Sequence, residues 1–424
     1  MIRFVLADLR RLWAGSLVVV LLVALATALG VAVTLQERAL RLGSARAAEH
    51  FDLVVGAAGS ETQLVLSSVF LQPAPLPLAS GSVLARLSRD PRVAWAAPVG
   101  FGDFFQGYPI VGTTAPLVEA AGGAGLASGR LFEAADEAVI GADVALPVGA
   151  VVKPMHGLPE EGGHTHTEIA YTVVGRAAPS GTPWDRAILV PIEAVWALHG
   201  MGQHEHAEGE DHGHEEADPE AAEHDHDHVP RFPLTIARLG GPWDEHAPGV
   251  PAVLVKPASI ADAYRLRQEY RTETTLAVFP GEVLTRLYAT LGDARKVLTW
   301  IAAGAQGLVA AAIALIAVVR VGQRRRQIGA LRALGAPRRA VFAIVWVEIF
   351  ALVAAGIGLG FAIGYAASLA LSRQFTGESG VVLPVGFDRA DLVFAAVLLA
   401  AAAALTTLPA VLAYRQPAAA ALRG

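Results

Sequence analysis

Four long apolar segments without a charged residue set the strongest limit on how this chain can fold. Each runs for 23 or 24 residues, and they are Trp13–Leu35, Val297–Val319, Ile349–Ser372 and Leu392–Tyr414. At about 1.5 Å of rise per residue, a helix of this length reaches about 34 Å, enough to cross the hydrocarbon core of a bilayer. The sequence therefore predicts a membrane protein with four transmembrane α-helices.

The composition agrees with this fold class and excludes several kinds of chemistry. Charged residues make up 17% of the 424 residues, against about 25% in ordinary soluble domains. The chain has no cysteine, which excludes disulfides, thiolate metal ligands and cysteine nucleophiles. It also lacks the G-x-x-x-x-G-K-[ST] phosphate loop, so a nucleotide-binding loop of that type is absent. We expect no enzyme activity and no integral cofactor in this chain.

The first apolar segment has two interpretations. A cleavable signal peptide is one, because Arg3, Arg10 and Arg11 precede the segment. Its apolar run is much longer than the roughly 7–15 residues of a signal peptide. We expect an uncleaved helix.

Positive charge predicts the orientation. The segment between the second and third apolar blocks carries seven arginines and no acid, namely Arg320, Arg324, Arg325, Arg326, Arg332, Arg338 and Arg339. The positive-inside rule places such a segment in the cytoplasm. Four crossings then leave both termini cytoplasmic and residues 36–296 outside. This outer part has 19 basic and 34 acidic residues, so it is strongly acidic.

These signals predict a domain order. Residues 51–290 combine short β-rich runs, Gly/Pro turns and helical patches, the pattern of a mixed α/β domain. Helical spacing at both of its ends predicts stalks that continue the first two spans, with a simple tether as the alternative. The predicted organisation begins with an N-terminal amphipathic helix (1–12), a first span (13–36) and an extracytoplasmic α/β domain (37–296). A second span (297–319), a cytoplasmic segment (320–340) and a third span (341–372) follow. The chain then has a short outer loop (373–391), a fourth span (392–414) and a cytoplasmic tail (415–424).

Glycines in the third span are spaced for helix packing. Gly356, Gly360 and Gly364 recur every four residues, which places them on one helix face, and small residues there let another helix approach closely. The alternative is that glycine and alanine are simply common in this chain.

The outer domain contains a histidine- and acid-rich segment, residues 203–228. It has eleven acids, no Lys or Arg and seven histidines: His204, His206, His212, His214, His224, His226 and His228. Imidazole and carboxylate ligands suit Zn²⁺, Ni²⁺ or Cu²⁺. The segment therefore predicts a metal site, with a solvated acidic insert as the alternative. His156, His164, His166 and Glu168 form a second group that can cooperate with it.

Several motifs resemble one family of permeases. The segment QRRRQIGALRALGA at 323–336 is similar to a cytoplasmic motif of the MacB/FtsX/LolC family of ABC transporter permeases, and the outer segment YPIVGTT at 108–114 and the ending YRQP at 414–417 resemble the same family. The resemblance implies contact with an ATPase subunit through Arg324, Arg325, Arg326, Gln327, Arg332, Gly335, Arg338 and Arg339. Gln327 stands where the family usually has Glu, which puts any role of that carboxylate in doubt.

The resemblance also implies function, partners and location. It indicates a multi-pass protein of the bacterial inner membrane, the permease subunit of an export or mechanotransmission complex driven by a separate cytoplasmic ATPase. Implied partners are that ATPase, a second copy of the chain, the lipid bilayer and a periplasmic adaptor or metal-binding protein, with no nucleic acid. Residues 51–68 and 181–192 resemble a subgroup linked to the homeostasis of metals, with zinc as the first candidate. The alternatives are an FtsX-like regulator of a periplasmic hydrolase and a metal-responsive sensor or delivery module.

Overall fold

The computed structural model describes residues 13–72, 74–121, 125–156, 164–165, 170–201, 239–290 and 337–415, with scattered positions between 296 and 311. Contacts divide the chain into two compact units. The helical unit comprises Met1–Leu42, Ala289–Phe375 and Leu383–Gly424, and the sheet unit comprises Gly43–Tyr288 and Thr376–Val382.

The described helices follow the chain in this order: α1 Trp13–Glu49, α2 Glu61–Ser68, α3 Gly81–Arg89, α4 Ala115–Ala121, α5 Ile192–Leu198, α6 Ile260–Glu269, α7 Arg338–Ser379 and α8 Arg389–Arg415. A short 3₁₀ helix covers Pro183–Arg186, and residues 280–290 are also helical. Among the described residues, α1, α7 and α8 are long and apolar enough to cross a membrane. They correspond to three of the four predicted spans, and the second predicted span, 297–319, lies mostly outside the described residues.

The helical unit is held together by a small apolar core. Side chains of all three helices meet in it, including Val23 from α1, Ile357 from α7 and Ala402 from α8. Many other apolar side chains of these helices are exposed, such as Leu25 and Leu392, each 70% exposed. Exposed apolar faces on helices of this length are what a lipid environment requires, since lipid tails solvate them.

The described residues of the sheet unit form one twelve-stranded mixed sheet. Its strands are β1 Leu53–Ala57, β2 Val93–Phe105, β3 Tyr108–Thr113, β4 Leu126–Gly129, β5 Glu137–Ile140, β6 Val151–Val152, β7 Met155–His156, β8 His164–Thr165, β9 Tyr171–Ala177, β10 Ile188–Pro191, β11 Ala252–Pro257 and β12 Thr275–Val278. The main path has the order β12-β1-β11-β2-β3-β10-β5-β9-β4; in addition β6 pairs with β9, and β7 pairs with β2 and β8.

Strands inside this sheet are buried on both faces. In β1, Leu53 and Val55 belong to one hydrophobic core and Val54 belongs to the other. The same alternation occurs in β10, where Ile188 and Leu189 lie in different cores. Successive residues of a strand point to opposite faces, so a strand covered on both sides is a continuous apolar run. This explains the apolar runs from which the α/β domain was predicted.

An acidic side chain at the start of β5 is held by an ion pair. The Arg130 guanidinium donates to the Glu137 carboxylate, with 2.7 Å between Nη1 and Oε2, and the Glu133 N–H donates to the same oxygen at 2.8 Å. These bonds lower the pKa of Glu137 from 4.5 to about 2. The charged form of this carboxyl therefore stabilises the folded sheet unit.

We expect Glu137→Gln to lower the free energy of unfolding at pH 7 by about 1–2 kcal/mol, the range of a charge-assisted hydrogen bond that is partly exposed to water. Because the folded pKa is depressed, this stabilisation is complete above the unfolded pKa of about 4.5 and is lost as the pH falls toward 2. The difference in thermal midpoint between the wild type and Glu137→Gln should therefore shrink below pH 4.5. Glu133→Gln is the matched control, because its side chain is 78% exposed and 3.9 Å from Arg130. A difference that stays constant down to pH 2 contradicts this role of the ion pair.

Candidate functional site

The three glycines predicted to pack a helix lie against α1. A Cβ atom added to Gly360 would come within 2.5 Å of the Thr27 Cβ and 2.7 Å of the Ala24 carbonyl oxygen. A Cβ on Gly356 would meet the Val23 side chain at 2.6 Å, and one on Gly364 would meet the Ala28 carbonyl oxygen at 2.8 Å. Glycine at these positions therefore lets α7 approach the backbone of α1 closely. Gly358 on the same helix has no atom within 4 Å of such a Cβ.

An ion pair within the helical unit joins α1 to the start of α8. The Arg38 guanidinium donates to both carboxylate oxygens of Asp391, at 2.7 and 3.2 Å. Asp391 also accepts the Asp388 N–H at 2.7 Å, and Asp388 accepts the Ala390 N–H. The Asp391 side chain thus makes one half of a capping box, and Asp388 caps a neighbouring N–H, so both help to fix where α8 begins. Arg38 and Asp391 are 15% and 8% exposed, so the same carboxylate caps one helix and binds another.

In the sheet unit, a buried carboxylate organises the loop before β10. Asp185 accepts the N–H groups of Ser180 and Gly181 at 2.8 and 2.7 Å. The Gly181 carbonyl in turn accepts the Val382 N–H at 3.2 Å, and Arg186 donates to the Gly377 carbonyl. Residues 376–382, which include the last turn of α7, are part of the sheet unit, and these hydrogen bonds hold them against the loop before β10.

The predicted ATPase-contacting residues fall largely outside the described part of the chain. Arg324, Arg325, Arg326, Gln327, Arg332 and Gly335 all lie there. Arg338 and Arg339 begin α7, and the Arg339 side chain is exposed. Their role in binding an ATPase stays a prediction.

Most of the predicted metal ligands also lie outside the described part of the chain. All seven histidines of residues 203–228, together with His166 and Glu168, lie outside the described residues. His156 lies in β7 and His164 in β8. Among the residues whose side chains are described, no group of three or more His, Asp or Glu side chains comes close enough to hold a metal ion.

A buried aspartate and a histidine that the sequence did not single out form a pair in the sheet unit. The His199 Nε2 lies 3.1 Å from the Asp103 Oδ2. Asp103 is only 3% exposed and His199 is 24% exposed. The hydrogen bond to Asp103 raises the pKa of His199 above its usual value, because it favours the protonated imidazole.

Glycines and a bulge bring this pair together. A Cβ on Gly100 or Gly112 would collide with Ile192 or Val195 of α5, at 2.7 and 2.5 Å, so both glycines let α5 sit directly on the sheet. His199 caps the C-terminal end of that helix, where a cation is favoured by the helix dipole.

A β-bulge in β2 orients Asp103, the second residue of the pair. The β2–β3 register shifts between Phe101 and Asp103, which places Asp103 opposite Ile110. Ile110 belongs to the same hydrophobic core as Ile192. A bulge adds one residue to a strand and re-aims the side chain that follows it. Asp103 therefore faces the α5 side of the sheet.

Long apolar helices and a mixed α/β sheet unit together define a multi-span membrane protein with one large inserted domain. Residues 300–418 match the family described as FtsX-like permease C-terminal. The C-terminal region of the chain is therefore an FtsX-like permease domain, and the resemblance to the MacB/FtsX/LolC-like ABC permeases is supported.

No curated protein matches the chain significantly. Among solved structures, the crystal structure of the periplasmic region of MacB from Actinobacillus actinomycetemcomitans is similar at 9% sequence identity and a TM-score of 0.32, covering 57% of this chain and 95% of that one.

The family match bears on the class of protein. Permeases of this family are generally subunits of ABC transporters in which a partner subunit carries the ATPase. The match covers residues 300–418, so it assigns the permease type to this region of the chain. The match does not bear on metal.

Proposed function

We propose that this permease transmits ATP-driven motion of a cytoplasmic ATPase to its outer domain, where cargo or a partner is handled. The observation that carries the proposal is the family match over residues 300–418, which includes the arginine-rich segment 323–336. In this mechanism the ATPase moves that segment, and the packed helices carry the motion outward. No Walker A loop is needed in this chain, because the partner binds the nucleotide.

Two contacts support the mechanical part of the proposal. The close glycine packing of α7 on α1 makes these two helices move together within the helical unit. Within the sheet unit, residues 376–382 are hydrogen-bonded to the loop before β10. In the proposed mechanism, motion of the helices reaches the outer domain without a transport channel. The test is whether reversing charge in the arginine-rich segment releases the ATPase.

We further propose that the machine handles zinc or a similar divalent cation outside the membrane. Support comes from residues 203–228, where seven histidines and eleven acids occur without a basic residue. Neutral imidazole ligates metal, and most histidines are neutral at pH 7. Fixing a chain segment costs about 1–2 kcal/mol per residue, so we infer that several ions bind here with less affinity than in a preformed structural zinc site.

Deleting residues 203–228 should remove most of the zinc bound by the full-length protein. The expected result is a fall from several ions per chain to one or none, measured by calorimetry on protein in nanodiscs at pH 7. Binding to the segment should weaken below about pH 6, because protons compete for imidazole. An unchanged zinc stoichiometry after the deletion means that the segment is only a solvated acidic insert.

A further inference from the structure

We propose that a cavity in the sheet unit binds an uncharged, mostly apolar small molecule and holds it by a hydrogen bond to Ser67. The cavity has a volume of about 440 Å³, within the range of pockets that hold drug-sized ligands. It lies between the segment that follows α2 and the strands β2 and β3. This site goes beyond the proposed function, because binding here requires neither the ATPase nor residues 203–228.

The wall of the cavity is mostly apolar. Three leucines, two phenylalanines and one valine border it, namely Leu71, Leu76, Leu78, Phe101, Phe104 and Val111. Removing apolar ligand surface from water against such a wall is favourable. The cavity therefore suits a ligand whose surface is largely hydrocarbon.

The charged groups around the cavity favour a neutral ligand over an ion. No Lys or Arg occurs among the described residues that border it, so an anion finds no countercharge there. Among these residues Asp103 is the acidic one, and its carboxylate is already paired with His199 at 3.1 Å. An ion that entered the cavity would lose its hydration without gaining a charged partner, which is costly.

A hydroxyl without a partner indicates how the ligand is held. Ser67 lies at the C-terminal end of α2, borders the cavity and is only 1% exposed. Within the described part of the chain, its Oγ has no hydrogen-bond partner. Buried polar groups in folded proteins are nearly always satisfied. A hydroxyl or carbonyl group of the ligand supplies the missing partner.

The segment that borders the cavity after α2 has a strained backbone. Leu71 has a φ of 51°, a left-handed conformation that is unfavourable for a bulky side chain. The Gln72 N–H donates to the Leu66 carbonyl at 3.1 Å and holds this turn in place. Strained backbone of this kind collects at ligand-binding segments.

The same segment is fixed farther along. The Gln63 Nε2 donates to the Pro75 carbonyl at 2.9 Å, and Ala79 and Val250 exchange two backbone hydrogen bonds at 2.8 and 3.0 Å. A wall that is held before the ligand arrives loses little conformational freedom on binding. The cavity is therefore preorganised for a ligand.

The experiment uses the full-length protein in nanodiscs and 4-(hydroxymethyl)benzophenone, an uncharged apolar photolabel with a hydroxyl and a carbonyl group. Irradiation should label the tryptic peptides 47–86 and 93–130 in a saturable manner. These two peptides contain α2, the segment that follows it, β2 and β3. The anion 4-benzoylbenzoate has a carboxylate in place of the hydroxymethyl group and should label both peptides at most about one tenth as well.

Two neighbouring serines provide matched variants. Ser67→Ala should raise the half-saturating concentration of the photolabel at least about threefold, as expected for the loss of one hydrogen bond. It should not lower the thermal midpoint, because the Ser67 hydroxyl has no partner to lose. Ser68→Ala removes a hydrogen bond of 2.6 Å to the Leu64 carbonyl, so it should lower the thermal midpoint and leave the half-saturating concentration unchanged.

A third variant tests the space itself. Ala74 borders the cavity, so Ala74→Trp should fill it and reduce labelling of both peptides at least about tenfold. Labelling that does not saturate, equal labelling by the neutral and anionic photolabels, or equal half-saturating concentrations in Ser67→Ala and Ser68→Ala overturns the proposal.

The outcomes separate this site from the proposed function. The Arg325→Glu, Arg326→Glu, Arg332→Glu variant should release the ATPase and keep saturable labelling, since the cavity lies in the sheet unit. If the wild type is not labelled in a saturable manner but this variant still releases the ATPase, the cavity site fails and the proposed function stands.

Discussion

Gly360→Leu should destabilise the helical unit by about 3 kcal/mol or more and abolish the coupled activity of the complex. The added side chain would begin only 2.5 Å from the Thr27 Cβ and 2.7 Å from the Ala24 carbonyl oxygen, both on α1. Overpacking typically costs about 1–3 kcal/mol where neighbours can shift. Here one neighbour is backbone, so α7 must move away from α1 and lose the contacts that small residues permit.

Gly358→Leu is a matched control for this substitution. It makes the same change in the same helix, two residues away, where an added Cβ would meet no atom within 4 Å. We expect its effect to stay within about 0.5 kcal/mol, as for substitutions away from packed sites. Unfolding by SDS in mixed micelles compares the two variants. Equal destabilisation by Gly358→Leu and Gly360→Leu contradicts the assignment of a packing face.

Much of the fold could be predicted from the sequence. Length and the absence of charge predicted three helices that the structure contains. The short β-rich runs and helical patches within residues 51–290 predicted a mixed α/β domain, and the sheet unit contains both strands and helices. The long strand β2 was not predicted, because Pro98, Gly100 and Gly102 interrupt its sequence; pairing with β11 and β3 on its two sides overrides that local signal.

The contacts between distant residues could not be predicted. Four-residue spacing predicted that Gly356, Gly360 and Gly364 lie on one packing face of a helix. No local pattern predicts that α1 is the helix they pack against. Asp103 and His199 are 96 positions apart, and their contact depends on a bulge in one strand and two glycines under one helix. Arg38 and Asp391 are farther apart still. Each of these pairs arises from tertiary packing, which single-sequence periodicity does not encode.

Reversing the charge at Arg325, Arg326 and Arg332 should release the ATPase while the protein remains in the membrane. The three arginines lie in the segment that resembles the ATPase-contacting motif of the family. Changing them to glutamate replaces attraction to an acidic surface by repulsion, which can cost several kcal/mol at a close interface. We expect at least a hundredfold loss of affinity for the partner. Arg→Lys at the same three positions keeps the charge and separates residue-specific contacts from net attraction.

Membrane insertion needs its own control, because arginines in short loops also set the topology. The glutamate variant keeps four of the seven arginines between the second and third spans. Reporters fused to each terminus should show the same orientation as in the wild type. A variant that inverts in the membrane is replaced by the milder Arg→Gln series at the same positions.

Co-purification of the chain with an ABC ATPase co-expressed from the same gene neighbourhood tests the central claim most directly. The account predicts a stable complex in nanodiscs whose ATP hydrolysis depends on the permease, with both the complex and the hydrolysis lost in the Arg325→Glu, Arg326→Glu, Arg332→Glu variant. An ATPase that stays bound and equally active in that variant contradicts the proposed coupling segment.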